Sequence, residues 1–100
     1  INNVKDLGHL HNLTCLTLSS NSVSNVTDLC TLTNLEELEL VNNQITDIPN
    51  EFGNLTQLKE LNLRLNQIEK LTNEFTNLVN LYSLALSFNS LLNLPESYMV

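Results

Sequence analysis

The sequence predicts a repeat solenoid in which every repeat contributes one short strand and one return segment. Three observations lead there. The template L-x-x-L-x-L-x-x-N-x-(L/I/V) occurs four times without a gap, beginning at Leu13, Leu35, Leu58 and Leu81. Its Asn recurs in step, at Asn21, Asn43, Asn66 and Asn89, so that successive copies are offset by 22, 23 and 23 residues. Within each copy, pairs such as Leu38 and Leu40, or Leu61 and Leu63, alternate with polar neighbours. That is the period of two of a strand, not the 3.6 of a helix. A helical reading would put Leu35, Leu38 and Ile45 near one face but would strand Leu40.

The elements follow in order. A partial unit covers 1–12, with Ile1, Val4, Leu7 and Leu10 fitting the tail of a repeat, and full repeats start at 13, 35, 58 and 81. The segment after each Asn also repeats: Val23, Val26, Leu29 and Leu32, then Ile45, Ile48, Phe52 and Leu55, then Ile68, Leu71, Phe75 and Leu78. Leu91, Leu94 and Tyr98 begin a further copy. Stacking is needed because no single unit can bury its apolar face alone. Phe52, Phe75 and Tyr98 share one column and are expected to form a packing spine on the convex side. Pro49 and Pro95 lack an N–H and suit irregular convex segments better than a sheet interior. The side-chain amide of each repeating Asn offers donors and an acceptor to backbone left unpaired at the turn, so Asn21, Asn43, Asn66 and Asn89 are expected to form a buried ladder. Neither end looks like a capping unit with a polar outer face, so the chain is expected to be a segment of a longer solenoid and prone to self-association through its sheet edges.

These motifs resemble the leucine-rich-repeat family, over the whole chain. The resemblance implies an α/β, right-handed solenoid or horseshoe, with a parallel β-sheet on the concave face and loops or short helical turns on the convex face. Repeats of 22 to 23 residues with Ile-x-x-(Ile/Leu)-Pro after the Asn, as in Ile45 to Pro49, are similar to the short intracellular types of phosphatase-regulatory and Ras-associated scaffold proteins. By resemblance the partner is a protein or peptide, bound at the concave face.

Composition narrows the alternatives. Lys plus Arg number 4 against 11 Asp plus Glu, for a net charge of −7, which repels nucleic acid and anionic membrane surfaces. No apolar run approaches the roughly 20 residues of a membrane helix. With Gly8 and Gly53 as its 2 glycines, the chain cannot form a Gly-rich phosphate loop, and no Ser-His-acid set suggests itself. His9 and His11 form an H-x-H, but zinc needs a third or fourth ligand and the nearest Cys is Cys15, so no metal is expected. Cys15 falls in a strand facing the concave side and Cys30 on the convex segment, too far apart in direction for a disulfide. Two unpaired thiols favour a reducing, cytoplasmic setting. Three sequons, at Asn12, Asn25 and Asn54, favour an extracellular one, although T-x-L-T-N-L is also simply what the repeat spells.

The cluster Glu36, Glu37 and Glu39 raises the question of catalysis. All three fall at x positions, exposed on the strand, whereas acid–base pairs need one buried member. No catalytic residue and no cofactor is therefore expected. In register, the x positions stack into columns: Cys15, Glu37, Glu60 and Ser83; Thr17, Glu39, Asn62 and Ala85; Ser19, Val41, Arg64 and Ser87; Ser20, Asn42, Leu65 and Phe88; with Thr14, Glu36, Lys59 and Tyr82 at the lip. The expected partner-binding face is Glu37, Glu39, Glu60, Asn62, Arg64, Leu65, Tyr82 and Phe88. It is acidic at its centre and apolar at its C-terminal end, a match for a partner with a basic segment. The sequence thus points to a non-enzymatic protein-interaction or scaffold module of intracellular signalling. The alternatives are the targeting region of a larger phosphatase, kinase or cyclase, or an extracellular recognition receptor.

Overall fold

The structure, a computed structural model, describes residue 7 and residues 9–91. Ile1, Val4, Gly8, Leu94, Pro95 and Tyr98 lie outside the described residues. Four strands, β1 (Cys15–Thr17), β2 (Glu37–Glu39), β3 (Glu60–Asn62) and β4 (Ser83–Ala85), form one parallel sheet in sequence order. Register runs straight across it: Cys15 opposite Glu37, Glu60 and Ser83, and Leu16 opposite Leu38, Leu61 and Leu84.

Each strand is assigned three residues, but the backbone pairing between repeats runs further. Leu18 N–H donates to the Glu39 carbonyl, Leu40 to Asn62 and Leu63 to Ala85, each at 2.9 Å. Past the repeating Asn the pairing resumes, with Gln44 N–H donating to Val23 at 2.9 Å and Gln67 N–H to Ile45 at 2.8 Å. Adjacent repeats are therefore joined by backbone along much of the turn, not only at the strand.

Between strands the chain returns through 3-10 turns at Thr27–Thr31, Asn50–Asn54 and Asn73–Asn77. The helical part of this α/β solenoid consists of these turns. Five residues are too few for α-helical propagation, and the tighter i→i+3 closure suits so short a piece. Extended Pro49, with φ −69° and ψ 157°, leads into the second turn, where a missing N–H is harmless. Each turn buries its apolar members: Leu29 and Cys30, then Phe52 and Gly53, then Phe75. The Phe52 and Phe75 rings lie parallel within 2°, with centroids 6.1 Å apart. Gly53 has a steric reason: a Cβ there would stand 2.6 Å from the Glu74 carbonyl oxygen on the next turn.

The core is one continuous column. Leu35, Leu40, Leu58, Leu63, Ile45 and Ile68 are fully buried, and Leu38 and Leu61 nearly so. Toward the ends of the stack, Leu13, Leu16, Leu81, Leu84 and Leu86 are only partly covered.

The repeating Asn side chains sit where these layers meet. The Asn43 amide donates to the carbonyls of Leu40 at 2.9 Å and Leu18 at 3.0 Å, while its oxygen accepts from Val23 N–H at 3.0 Å. Asn66 donates to Leu63 and Leu40 and accepts from Ile45 N–H. Asn89 donates to Leu86 and Leu63 and accepts from Ile68 N–H. Each thus binds two carbonyls of its own repeat, the second being Val41, Arg64 or Ser87, and two backbone groups of the repeat before it. Asn21 donates to Leu18 and Ser19 within its own repeat.

Two stability predictions follow. Replacing Asn43 with Ala strands the buried Val23 N–H and removes one of two amide donors from the Leu18 and Leu40 carbonyls, so urea unfolding should register a loss of about 1–3 kcal/mol. Gly53→Ala forces backbone apart on the convex side and should cost about 1–3 kcal/mol in the same assay; an unchanged midpoint would mean the two turns separate freely.

Candidate partner-binding face

The concave face is made by the strand residues that point away from the core. Alternation turns Leu16, Leu38 and Leu61 inward, so Cys15, Thr17, Glu37, Glu39, Glu60 and Asn62 project outward beside one another. Together with Ser83 and Ala85 they line an open concavity of about 290 Å³. Glu37 is opposite Glu60 on neighbouring strands, and Glu39 is opposite Asn62.

Little positive charge reaches this concavity. Lys59 pairs with Glu36 at the lip, Nζ to Oε1 at 3.1 Å, the only salt bridge among the described residues. Both side chains are about half exposed, so the pair itself stabilises the fold little. Arg64 is turned away: its Nε donates to Ser87 Oγ at 2.7 Å and its guanidinium lies 5.6 Å from the centre of the Phe88 ring. The Asn62 side-chain oxygen is occupied by the Arg64 N–H at 3.2 Å. Glu37, Glu39 and Glu60 therefore form a negative patch to which, among the described residues, no basic side chain is bound.

Two weaker acids report that field. The Cys15 thiol donates to Glu37 Oε2 at 3.3 Å. That hydrogen bond, helped by partial desolvation and by the nearby carboxylates, raises its pKa above the ordinary thiol value. Tyr82, 72% exposed, is also raised, first by desolvation and then by Glu60, which accepts its hydroxyl. Cys30 is buried in the first 3-10 turn, its thiol pushed up to about 12 by burial. Both cysteines are free.

At the far end of the strands lies a second group. Leu65 is 43% exposed and Phe88 68%. Both adopt left-handed backbone, with φ 60° and 61°, as do Ser20 and Asn42 at the equivalent positions of the earlier repeats. The residue before each repeating Asn turns the chain so that the amide points into the stack. Asn tolerates this conformation, but Leu and Phe are strained by about 1–2 kcal/mol each. The sequence pattern did not reveal the strain, although an Asn in the same column, Asn42, was the signal available.

The sequence also did not reveal a second set of amides at the entrance to the strands. Asn34 Nδ2 donates to the His11 carbonyl at 2.8 Å and Asn80 Nδ2 to that of Thr56 at 2.9 Å. The cue was the Asn preceding the first Leu of the template, at Asn12, Asn34 and Asn80. Asn25 accepts from Thr27 N–H at 2.9 Å just before the first 3-10 turn, and Asn54 closes the second. His9 and His11 are exposed in the turn before β1. Among the described residues, no three His, Cys, Asp or Glu side chains are grouped to hold a metal ion, and no helix is long and apolar enough to cross a membrane.

A parallel sheet of one strand per repeat, cross-bonded by an Asn at every turn, is matched by a family profile described as "Leucine Rich repeats (2 copies)" over residues 33–74. The chain belongs to the leucine-rich-repeat family. A leucine-rich-repeat protein of Leptospira interrogans superposes with a TM-score of 0.90 at 34% identity, over 94% of this chain and 24% of its own. An internalin of Listeria monocytogenes gives 0.84 at 33% identity, over 92% of this chain and 27% of its own. The leucine-rich-repeat ectodomain of the Arabidopsis thaliana membrane receptor kinase GASSHO1/SCHENGEN3, solved with CASPARIAN STRIP INTEGRITY FACTOR 2, gives 0.79 at 44% identity, over 85% of this chain and 11% of its own. The chain thus spans about a quarter of each of these two bacterial proteins. Among curated protein sequences none is significantly similar. Leucine-rich repeats are commonly non-enzymatic protein–protein interaction modules, and these neighbours are bacterial proteins and a plant receptor.

The thiols give a direct test of the electrostatics. Because the Cys15 pKa is raised, its alkylation by iodoacetamide at pH 8 should be slower than that of a free cysteine and should accelerate in Glu37→Gln. Cys30 should react only on unfolding. A Cys15 rate unaffected by Glu37→Gln would remove the hydrogen bond as the cause.

Proposed function

We propose that this leucine-rich-repeat chain is an interaction module that holds a protein or peptide partner on its concave face, through Glu37, Glu39, Glu60, Asn62, Arg64, Leu65, Tyr82 and Phe88. The observation that carries this reading is the acidic patch of Glu37, Glu39 and Glu60, whose nearest described cations, Lys59 and Arg64, are engaged elsewhere. Unneutralised charge of one sign on a concave surface favours a partner carrying the other. With a net charge of −7, the partner's contacting segment is basic. The receptor ectodomain bound to CASPARIAN STRIP INTEGRITY FACTOR 2 and the receptor described as RGFR1 bound to RGF2 support a peptide or protein ligand.

Size points to a longer working unit. Four strands about 4.8 Å apart, each presenting about five residues at 3.3 Å, give roughly 300 Å² of face. A stable interface takes about 800 Å² from each partner. The small share of the neighbours' chains that this one spans supports the same reading, with further repeats extending the face. Catalysis, in a parent that is a signalling enzyme, would reside in another region.

For the compartment, the free thiols of Cys15 and Cys30 support the cytoplasm and a scaffold role in signalling. The likeness to a plant receptor ectodomain, with exposed Asn12, Asn25 and Asn54 in sequons, favours the extracellular reading. Glycan occupancy at those three sites, read by mass spectrometry of the native protein, decides between them.

The function is tested by affinity capture with the intact protein and with a Glu37→Lys, Glu39→Lys, Glu60→Lys variant of unchanged thermal midpoint. The partner should be lost, with affinity lowered at least tenfold. Undiminished capture by the variant would reject the acidic face as the contact.

A further inference from the structure

Leu65 and Phe88 present a pattern that stability alone does not explain. They occupy neighbouring positions at the end of the concave face, both left-handed and both substantially exposed. The same positions in the two preceding repeats hold Ser20 and Asn42, small polar residues of which Asn is among the best suited to that backbone. In the two later repeats the chain combines an unfavourable conformation with exposed apolar surface. Strain of this kind persists where a site uses the side chain so displayed. Phe88 is also held in place: the Arg64 guanidinium lies over its ring, and Arg64 is itself fixed by Ser87. A fixed aromatic loses little freedom when a ligand covers it, which is the behaviour of an interface anchor.

We infer that Leu65 and Phe88 form an apolar anchor site, and that the partner segment is extended, with a basic residue over Glu37, Glu39 and Glu60 and a bulky aliphatic or aromatic residue at the anchor. This rests on the concave-face reading and specifies it. Charge complementarity selects the basic residue, and geometry sets the spacing. Asn62, opposite Glu39, is three positions before Leu65 along the same repeat. At about 3.3 Å per residue and about 4.8 Å per strand, the acidic centre and the anchor are roughly 10 to 15 Å apart. An extended segment covers that distance in about three to five residues. The face therefore reads a basic residue and an apolar residue at that separation, not charge alone.

The test is an NMR titration of the ¹⁵N-labelled chain with three synthetic Gly/Ser-based nonapeptides: one with Arg and Phe four positions apart, one with the Arg alone and one with the Phe alone. The Arg–Phe peptide should shift the amides of Leu65, Ser87 and Phe88 together with those of β2 and β3, and bind at least fivefold tighter than either control. A Leu65→Asn, Phe88→Asn variant should melt several degrees higher, because its strain is relieved, yet bind the Arg–Phe peptide no better than the Arg peptide. Equal affinity for the Arg–Phe and Arg peptides, wild-type affinity in the variant, or a variant that melts lower would each overturn the anchor while leaving the concave face as the binding surface. Absence of shifts anywhere on the face, with any of the peptides, would overturn the anchor and the concave-face reading together.

Discussion

The structure depends on one hydrogen-bonded arrangement, the side-chain amide that Asn43, Asn66 and Asn89 place between successive repeats, buried at Asn43 and Asn66 and half-buried at Asn89. Each donates to a carbonyl of its own repeat and to one of the repeat before, and accepts an N–H from that earlier repeat. These backbone groups lie where the strand ends and no sheet partner reaches them. Unpaired in the interior they would each be unfavourable by about 1–3 kcal/mol. The apolar column supplies the larger driving force for stacking, but burial is non-directional. The amides give the stack its register, because a slip of one residue would point Asn43 into solvent, leave the Val23 N–H unpaired and take one of the two amide donors from each of the Leu18 and Leu40 carbonyls.

The same constraint shapes the surface. To aim the amide inward, the preceding residue takes a left-handed turn and throws its own side chain outward, which places Ser20, Asn42, Leu65 and Phe88 along one edge of the concave face. Alternation within the strand places Glu37, Glu39 and Glu60 beside them. On the opposite side, stacked Phe52 and Phe75 and the close approach at Gly53 hold the return segments together. The geometry of the face is thus a consequence of how the interior is satisfied.

Much of this was legible in the sequence. A period of two within the repeat sorts Leu38 and Leu61 from Glu37 and Glu60, and a fixed offset of 22 or 23 residues puts Glu37 beside Glu60. What was not legible depends on dihedrals and on side-chain rotamers. Hydrophobic pattern carries no information about φ, so the strain at Leu65 and Phe88 had no signature except Asn42 in their column. The entrance amides of Asn34 and Asn80 carry no distinguishing mark in the sequence, because a surface Asn and a bridging Asn are spelled alike. The engagement of Arg64 by Ser87 and Phe88, which leaves the acidic centre unneutralised, required three-dimensional placement. The partner's identity is written in the partner.

The central claim is that the Asn amides couple neighbouring repeats as firmly as the sheet does. Native-state hydrogen exchange tests it directly, because the Val23 and Ile45 N–H groups are bound by the side chains of Asn43 and Asn66, whereas Leu40 N–H is bound by the Asn62 backbone carbonyl. The account predicts that Val23 and Ile45 exchange only through global unfolding, as slowly as Leu40. Exchange of Val23 and Ile45 at loop rates while Leu40 stays protected would contradict it.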